Sequence, residues 1–93
     1  MNLVSPRRTQ LDLAGRVRAL RKEQGWSRRE LAERSGVAFD TLKLFELTGQ
    51  IALTRLLLIA SALGCLDGFE TLFKPPVAAS LAQLERRAKP TRR

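Results

Sequence analysis

Gly36 separates two short helix-forming segments by a gap that leaves room only for a tight turn. The segment before it, RRELAERS, follows Ser27, and Ser27 with Glu30 three residues later forms the S-x-x-E capping box that starts many helices. The segment after the gap, DTLKLF, continues as a helical pattern to about Leu47. The chain is therefore expected to contain two short helices joined by a glycine turn.

Apolar spacing predicts further helices on both sides of this pair. Leu13, Val17 and Leu20 recur at helical intervals, so a first helix is expected from Gln10 to Gln24. A broad apolar stripe predicts a fourth helix over residues 53–63. The expected core consists of the inward-facing apolar residues Leu13, Val17, Leu20, Leu31, Val37, Leu42, Phe45, Leu53, Leu56, Leu57, Ala60 and Leu63.

After Gly64, Asp67 is expected to cap a brief fifth helix that ends before Pro75-Pro76, because proline lacks the amide donor a helix interior needs. A weaker capping signal, Ser80 with Gln83, predicts a short sixth helix before the basic tail. No strand pattern is present. The fold class is thus an all-α bundle of five helices, or six with the last one.

The charge balance indicates a polyanionic partner. Lys and Arg number 17 and Asp and Glu number 9, which gives a formal net charge of +8, and most of the excess lies before Gly36 and in the C-terminal tail. The chain has no His, no Tyr and a single Cys65, so it lacks the residues for a His/Cys zinc site, a Ser-His-Asp triad or an internal disulfide. We therefore expect neither an enzyme nor a bound metal or cofactor.

The apolar stretches predict no contact with a membrane. The longest one, residues 51–66, is interrupted by polar residues and falls short of the roughly 20 residues that a membrane span needs. The first ten residues, MNLVSPRRTQ, lack the apolar core of a secretory signal. We therefore expect a cytoplasmic protein. Cys65 is then expected to be reduced and to act as a small buried apolar residue, and Trp26 is expected to belong to the core.

The segments LAGRVRALRKEQGWSRRELAERSGV, TLKLFE and TGQIALTRLLLIASALG occur in this order over residues 11–66. Together they resemble the Cro/CI-type (XRE) helix-turn-helix domain. This resemblance implies a lambda-repressor-like bundle whose second helix crosses the DNA backbone while the third lies in the major groove. It divides the chain into an N-terminal extension (1–9), a helix-turn-helix DNA-binding domain (10–74) and a Pro-Pro linker with a short helix and a basic tail (75–93).

The stretch FELTGQIALTRLLLIASALG, with LFKPP and the basic tail after it, most resembles small HipB-like regulators, many of which are antitoxins. This narrower resemblance implies an autorepressor of a toxin-antitoxin operon, with double-stranded DNA and a HipA-like kinase toxin as partners. A homodimer is expected, because operator half-sites lie about one turn (~34 Å) apart and a monomer of this size cannot span them. Residues 64–84 supply apolar surface for pairing.

Carried over residue by residue, the resemblance also assigns the sites. It implies a partly buried ion pair between Arg21 and Glu46. The helical wheel agrees on Glu46, since ~100° per residue groups Ala38, Leu42, Phe45 and Glu46 inward and Asp40, Leu44 and Leu47 outward. The expected DNA-binding residues are Phe39, Asp40, Thr41, Lys43 and Leu44 in the major groove and Ser27, Arg28 and Arg29 at the phosphates.

The outward face of this third helix offers few of the usual base-reading side chains, so alternatives remain. Base-reading helices usually offer Arg, Lys, Asn or Gln. Here Asp40 could accept from cytosine N4 but is repelled by phosphates, and Phe39 or Leu44 could touch a thymine methyl. Phe39, Leu44 and Leu47 could instead pack on a neighbouring helix or a second subunit, or dock a protein such as a toxin. The rivals are therefore a protein-interaction module with little DNA readout and a phage-type repressor.

Overall fold

The computed structural model describes residues 4–76 and 84–85. Residues 4–76 fold into four α-helices and a 3-10 helix, with no strand, and the all-α prediction is confirmed. The sixth helix expected at Ser80 and Gln83 and the basic tail fall outside the described residues, although Leu84 and Glu85 are helical. The helices are α1 (Pro6–Glu23), α2 (Arg28–Ser35), α3 (Phe39–Thr48), α4 (Leu53–Ala62) and the 3-10 helix (Leu66–Thr71).

Helix α1 begins at Pro6, so the expected start at Gln10 is wrong. The hydroxyl of Ser5 accepts a hydrogen bond from the backbone N–H of Arg8 at 3.0 Å and caps the helix. Proline suits the first helical position because its missing N–H would have no partner there. The residues before Leu13 are exposed. The first turns therefore carry no amphipathic signal, which is why the apolar pattern did not reveal them.

The start of α1 holds the end of α3. The guanidinium of Arg7 donates to the carbonyl of Thr48. Gly49, which follows α3, has a left-handed backbone with a φ of 79°, and a Cβ placed there would lie 2.8 Å from backbone atoms of Gln10. Residues 7–10 thus contact the turn between α3 and α4, and only glycine leaves space for this approach.

The capping box and the glycine turn are confirmed. The Ser27 hydroxyl accepts from the backbone N–H of Glu30 at 3.1 Å, and the Glu30 carboxylate accepts from the backbone N–H of Ser27 at 3.0 Å. Gly36 ends α2 with a φ of 76° and donates its N–H to the carbonyl of Ala32. Because α3 starts at Phe39, the two helices are joined by three residues, 36–38.

The core lies where α1 packs on α3 and where α2 packs on α3 and α4. The observed core differs from the expected one, most clearly at Leu53 and Ile59. Leu53 is 65% exposed, because it opens α4 and the buried residues of that helix lie in its second half. Ile59 is fully buried although the predicted stripe did not include it. The largest fully buried side chains are those of Phe45, Leu31, Leu42, Ile59 and Val37.

The chain after α4 differs from expectation in its capping. Gly64 turns the chain with a φ of 75°, but Asp67 lies inside the 3-10 helix and does not provide the expected cap. Cys65 occupies the cap position without a side-chain hydrogen bond and is only half-buried, so its expected burial is wrong. Phe73 is fully exposed with a φ of 67°.

No single helix in the described part is long and apolar enough to span a membrane. Helices α3 and α4 meet that criterion only as a pair bent by 98°.

Candidate nucleic-acid interface

Helix α3 divides into a buried face and an exposed face. Leu42, Phe45 and Glu46 are buried, whereas Asp40, Lys43, Leu44 and Leu47 are exposed. Ala38 is exposed as well, against the wheel, because it precedes the first turn of α3. The side chains that the resemblance assigns to the major groove therefore share an accessible surface, with Phe39 and Thr41 half-buried at its start.

Arg21 and Glu46 join α1 to α3 in the interior. The Nε of Arg21 donates to Oε2 of Glu46 at 2.8 Å, and its Nη2 donates to Oε1 at 3.0 Å, which is the bidentate geometry of a guanidinium on a carboxylate. The Nη1 of Arg21 donates to the carbonyl of Trp26 at 2.9 Å. Arg21 is 6% exposed and Glu46 4% exposed, so the ion pair is buried away from solvent.

Arg28 binds the same carboxylate from α2. Its Nε donates to Oε1 of Glu46 at 2.9 Å, and its side chain stays 31% exposed. Sequence reasoning assigned Arg28 to phosphates alone and missed this contact. The available signal was the inward position of Glu46, since a buried carboxylate needs several donors and the capping box fixes Arg28 at the first position of α2.

The pKa of Glu46 is lowered from its ordinary value. Burial by itself raises the pKa of this carboxyl, but the hydrogen bonds and positive charges of Arg21 and Arg28 together outweigh burial. Glu46 is therefore ionised at neutral pH. A single buried carboxylate thus joins α3 to both α1 and α2.

Arg29 and Phe39 form a stacked pair across the turn. The guanidinium carbon of Arg29 lies 4.5 Å from the centroid of the Phe39 ring, within cation–π distance. A similar pair at the other end of α2 places Arg34 4.3 Å from the ring centroid of Trp26, which packs against the core as expected. The pairing of Arg29 with Phe39 was not predicted, because nothing in the spacing of two residues on different helices reveals a stack.

The N-terminus of α2 lies beside this stack. The Ser27 oxygen is used in the capping box, while its hydroxyl hydrogen has no partner among residues 4–76. The exposed amide end of a helix carries a partial positive charge, and Arg29 adds a full charge there, whereas the charge of Arg28 is shared with Glu46 and the Glu30 carboxylate closes the capping box. Asp40 is the acidic residue on the accessible side of α3. The start of α2 is therefore the part of this surface that suits an anion such as a phosphate group, whereas Asp40 disfavours one on the outer side of α3.

Comparisons with known proteins agree with this arrangement. A family model described as helix-turn-helix matches residues 17–66, which is more than half of the chain and covers α2, α3 and α4. Searches of curated proteins and of solved structures found no significant match.

Proposed function

The chain belongs to the Cro/CI-type (XRE) helix-turn-helix family of DNA-binding transcription regulators, and from that premise we propose that it is a sequence-specific repressor that binds double-stranded DNA as a homodimer. Its lambda-repressor-like helical bundle agrees with this family. The observation that carries the proposal is the accessible face of α3 beside the cationic start of α2.

That surface has the two parts a helix-turn-helix protein needs. The major groove is about 12 Å wide and admits an α-helix, and α3 offers a continuous exposed side to it. Phosphates are bound by helix N-termini, hydroxyls and basic side chains, which is what α2 provides. The proposed groove-facing residues are Phe39, Asp40, Thr41, Lys43 and Leu44, and the proposed backbone-facing residues are Ser27, Arg28 and Arg29.

Apolar surface between α1, α4 and the 3-10 helix supports pairing with a second copy. A groove of about 320 Å³ lies between α1, α4 and the 3-10 helix and is lined mainly by apolar side chains. Leu72 at its edge is 55% exposed, and Phe73 is fully exposed. Apolar groups exposed to water contribute no stability to an isolated monomer, so their burial against a second copy of the chain is favoured.

The narrower proposal is that the protein is the antitoxin and autorepressor of a HipBA-like operon, with a HipA-like kinase toxin as partner. It rests on the resemblance of residues 45–64 to HipB-like regulators. Leu44 is 51% exposed and Leu47 58% exposed, and these two residues favour a second candidate, a module that binds a protein through α3 with little DNA readout.

A salt titration separates the two candidates. The full chain is mixed with a pool of random duplex DNA at low ionic strength, and affinity is measured as salt rises. The DNA affinity of a DNA-binding regulator should fall roughly 10³-fold or more between 50 and 200 mM salt, because each neutralised phosphate releases counterions. The affinity of an apolar contact with a partner protein should barely change over the same range. The absence of duplex binding at low salt contradicts the proposed function.

Two further measurements test the finer points. Sedimentation of the chain with and without duplex DNA reports the homodimer, and a monomer in both states contradicts it. Purification from the native host with identification of the bound protein tests the antitoxin proposal, for which a kinase-like partner encoded by a neighbouring gene is the expected result.

A further inference from the structure

Arg29 differs from the other arginines around α2 and α3 in the partners of its guanidinium. Arg21 is buried on Glu46, and Arg28 donates its Nε to the same carboxylate. Arg34 lies on Trp26. Within residues 4–76, the Arg29 side chain has no hydrogen bond or ion pair, and its contact is with the face of an aromatic ring.

We propose that Arg29, held on the ring of Phe39, is a specificity-determining residue that hydrogen-bonds one guanine in the major groove. This inference rests on the DNA-binding function proposed above and changes the role of Arg29 from a phosphate contact to a base contact. Arg28, which is tied to the protein by Glu46, remains on the backbone side.

The stack gives Arg29 the geometry for reading a base. A guanidinium lying on an aromatic face keeps the N–H groups around its edge available, while the contact restrains its plane. Guanine presents two acceptors, O6 and N7, side by side in the major groove, and a bidentate arginine is the commonest specific contact to them. A restrained guanidinium loses less side-chain entropy when it forms that pair than a mobile one does.

The position of the stack also fits. Phe39 is the first residue of α3, and the N-terminal residues of a recognition helix are those that contact base edges. The Phe39 ring itself can neither donate nor accept a conventional hydrogen bond. Placing a guanidinium on it supplies, from α2, the donor that the exposed side of α3 lacks at this point.

A phosphate contact and a base contact have different signatures. Losing a phosphate contact weakens binding to all sequences and reduces the salt slope by about one, whereas losing a guanine contact removes the preference at a single position. We therefore propose selection of binding sites from random duplexes by the wild-type chain, followed by affinity measurements on the selected site and on the same site with each guanine replaced.

The variants are Arg29→Ala and, as a matched control, Arg34→Ala, which removes the same charge and the same kind of stack from the other end of α2. Wild type and Arg34→Ala should prefer one guanine by roughly 5- to 150-fold, the range of a good bidentate pair. Arg29→Ala should bind the site with and without that guanine almost equally. Circular dichroism verifies that both variants keep their helices.

A second variant tests the platform. Phe39→Leu keeps an apolar side chain but removes the ring, so it should reduce the same preference by several-fold although Arg29 is present. Equal weakening of all sites by Arg29→Ala, with a smaller salt slope, overturns the inference and leaves the proposed function intact. An unchanged preference in Phe39→Leu shows that the Phe39 ring does not position Arg29 on the base, which overturns that part of the inference. Failure of the wild-type chain to bind any duplex overturns the proposed function as well.

Discussion

Arg28 donates its Nε to Oε1 of Glu46 across 2.9 Å, so the first residue of α2 is tied directly to the buried side of α3. Arg21 binds the same carboxylate from α1. This three-residue cluster links the three helices, because a shift of α1 or α3 would leave a buried charge without its partner and a shift of α2 would take the Arg28 donor away from Glu46.

Replacing Glu46 by Ala should destabilise the fold by about 3 to 5 kcal/mol, because it leaves the buried Arg21 uncompensated. Urea denaturation followed by circular dichroism measures the change. Asp12→Ala is the matched control, since Asp12 pairs with Arg8 at 3.4 Å on an exposed surface and such pairs contribute about 0 to 1 kcal/mol. A Glu46→Ala midpoint equal to that of wild type rejects the structural role of the cluster.

Stability should fall in acid through the same carboxylate. Because the folded-state pKa of Glu46 lies below its ordinary value of 4.5, the ionised group stabilises the fold fully above that ordinary value. The contribution is lost as the pH falls from there through the lowered pKa of the folded state. The free energy of unfolding of wild type minus that of Glu46→Gln should therefore decrease over this window and stay level from pH 6 to 7. A difference that does not vary with pH contradicts the lowered pKa.

Gly49→Ala should cost more stability than Gly25→Ala. Both glycines have a φ of 79°, where an L-residue is strained by about 1 to 2 kcal/mol. A Cβ at Gly25 meets nothing within 4 Å, but one at Gly49 comes within 2.8 Å of the Gln10 backbone. Chemical denaturation of both variants separates strain from steric overlap, and equal losses would show that α1 does not approach the α3–α4 turn this closely.

Removing residues 1–9 should lower stability rather than leave the domain unchanged. The deletion takes away the Ser5 cap, which contributes about 1 kcal/mol, together with the first turn of α1 and the bond from Arg7 to Thr48. Ser5→Ala should reproduce the capping part alone. If the truncated chain denatures at the same urea concentration as the intact one, the folded unit begins at Gln10, as the sequence division assumes.

The features that are local in sequence could be predicted, and those that depend on packing could not. The Ser27 capping box and the turn at Gly36 are each determined by a few neighbouring residues, because a cap or a left-handed glycine acts on its immediate neighbours. The start at Pro6 is the exception: Ser5 followed by Pro6 is a local start signal, but it was missed because the exposed first turn has no apolar period. Leu53 and Ile59 were misjudged because both are apolar, and only the neighbouring helices decide which of them is covered.

The same limit applies to the candidate interface. The inward position of Glu46 followed from its register with Leu42, but its second partner, Arg28, did not. The stack of Arg29 on Phe39 joins two helices across the turn and depends on their crossing angle. Pattern and spacing describe each helix by itself, so contacts between helices are where the three-dimensional structure adds most.

The cluster around Glu46 also separates two kinds of position along one short helix. Leu42, Phe45 and Glu46 hold α3 in place and tolerate little change, whereas Asp40, Lys43 and Leu44 take no part in that support. Under the function proposed above, exchanging the latter three for other side chains should change which operators are bound while the scaffold stays intact. The proposed reading of DNA and the architecture that supports it then lie on different residues of the same helix, so each could change in evolution or engineering without the other.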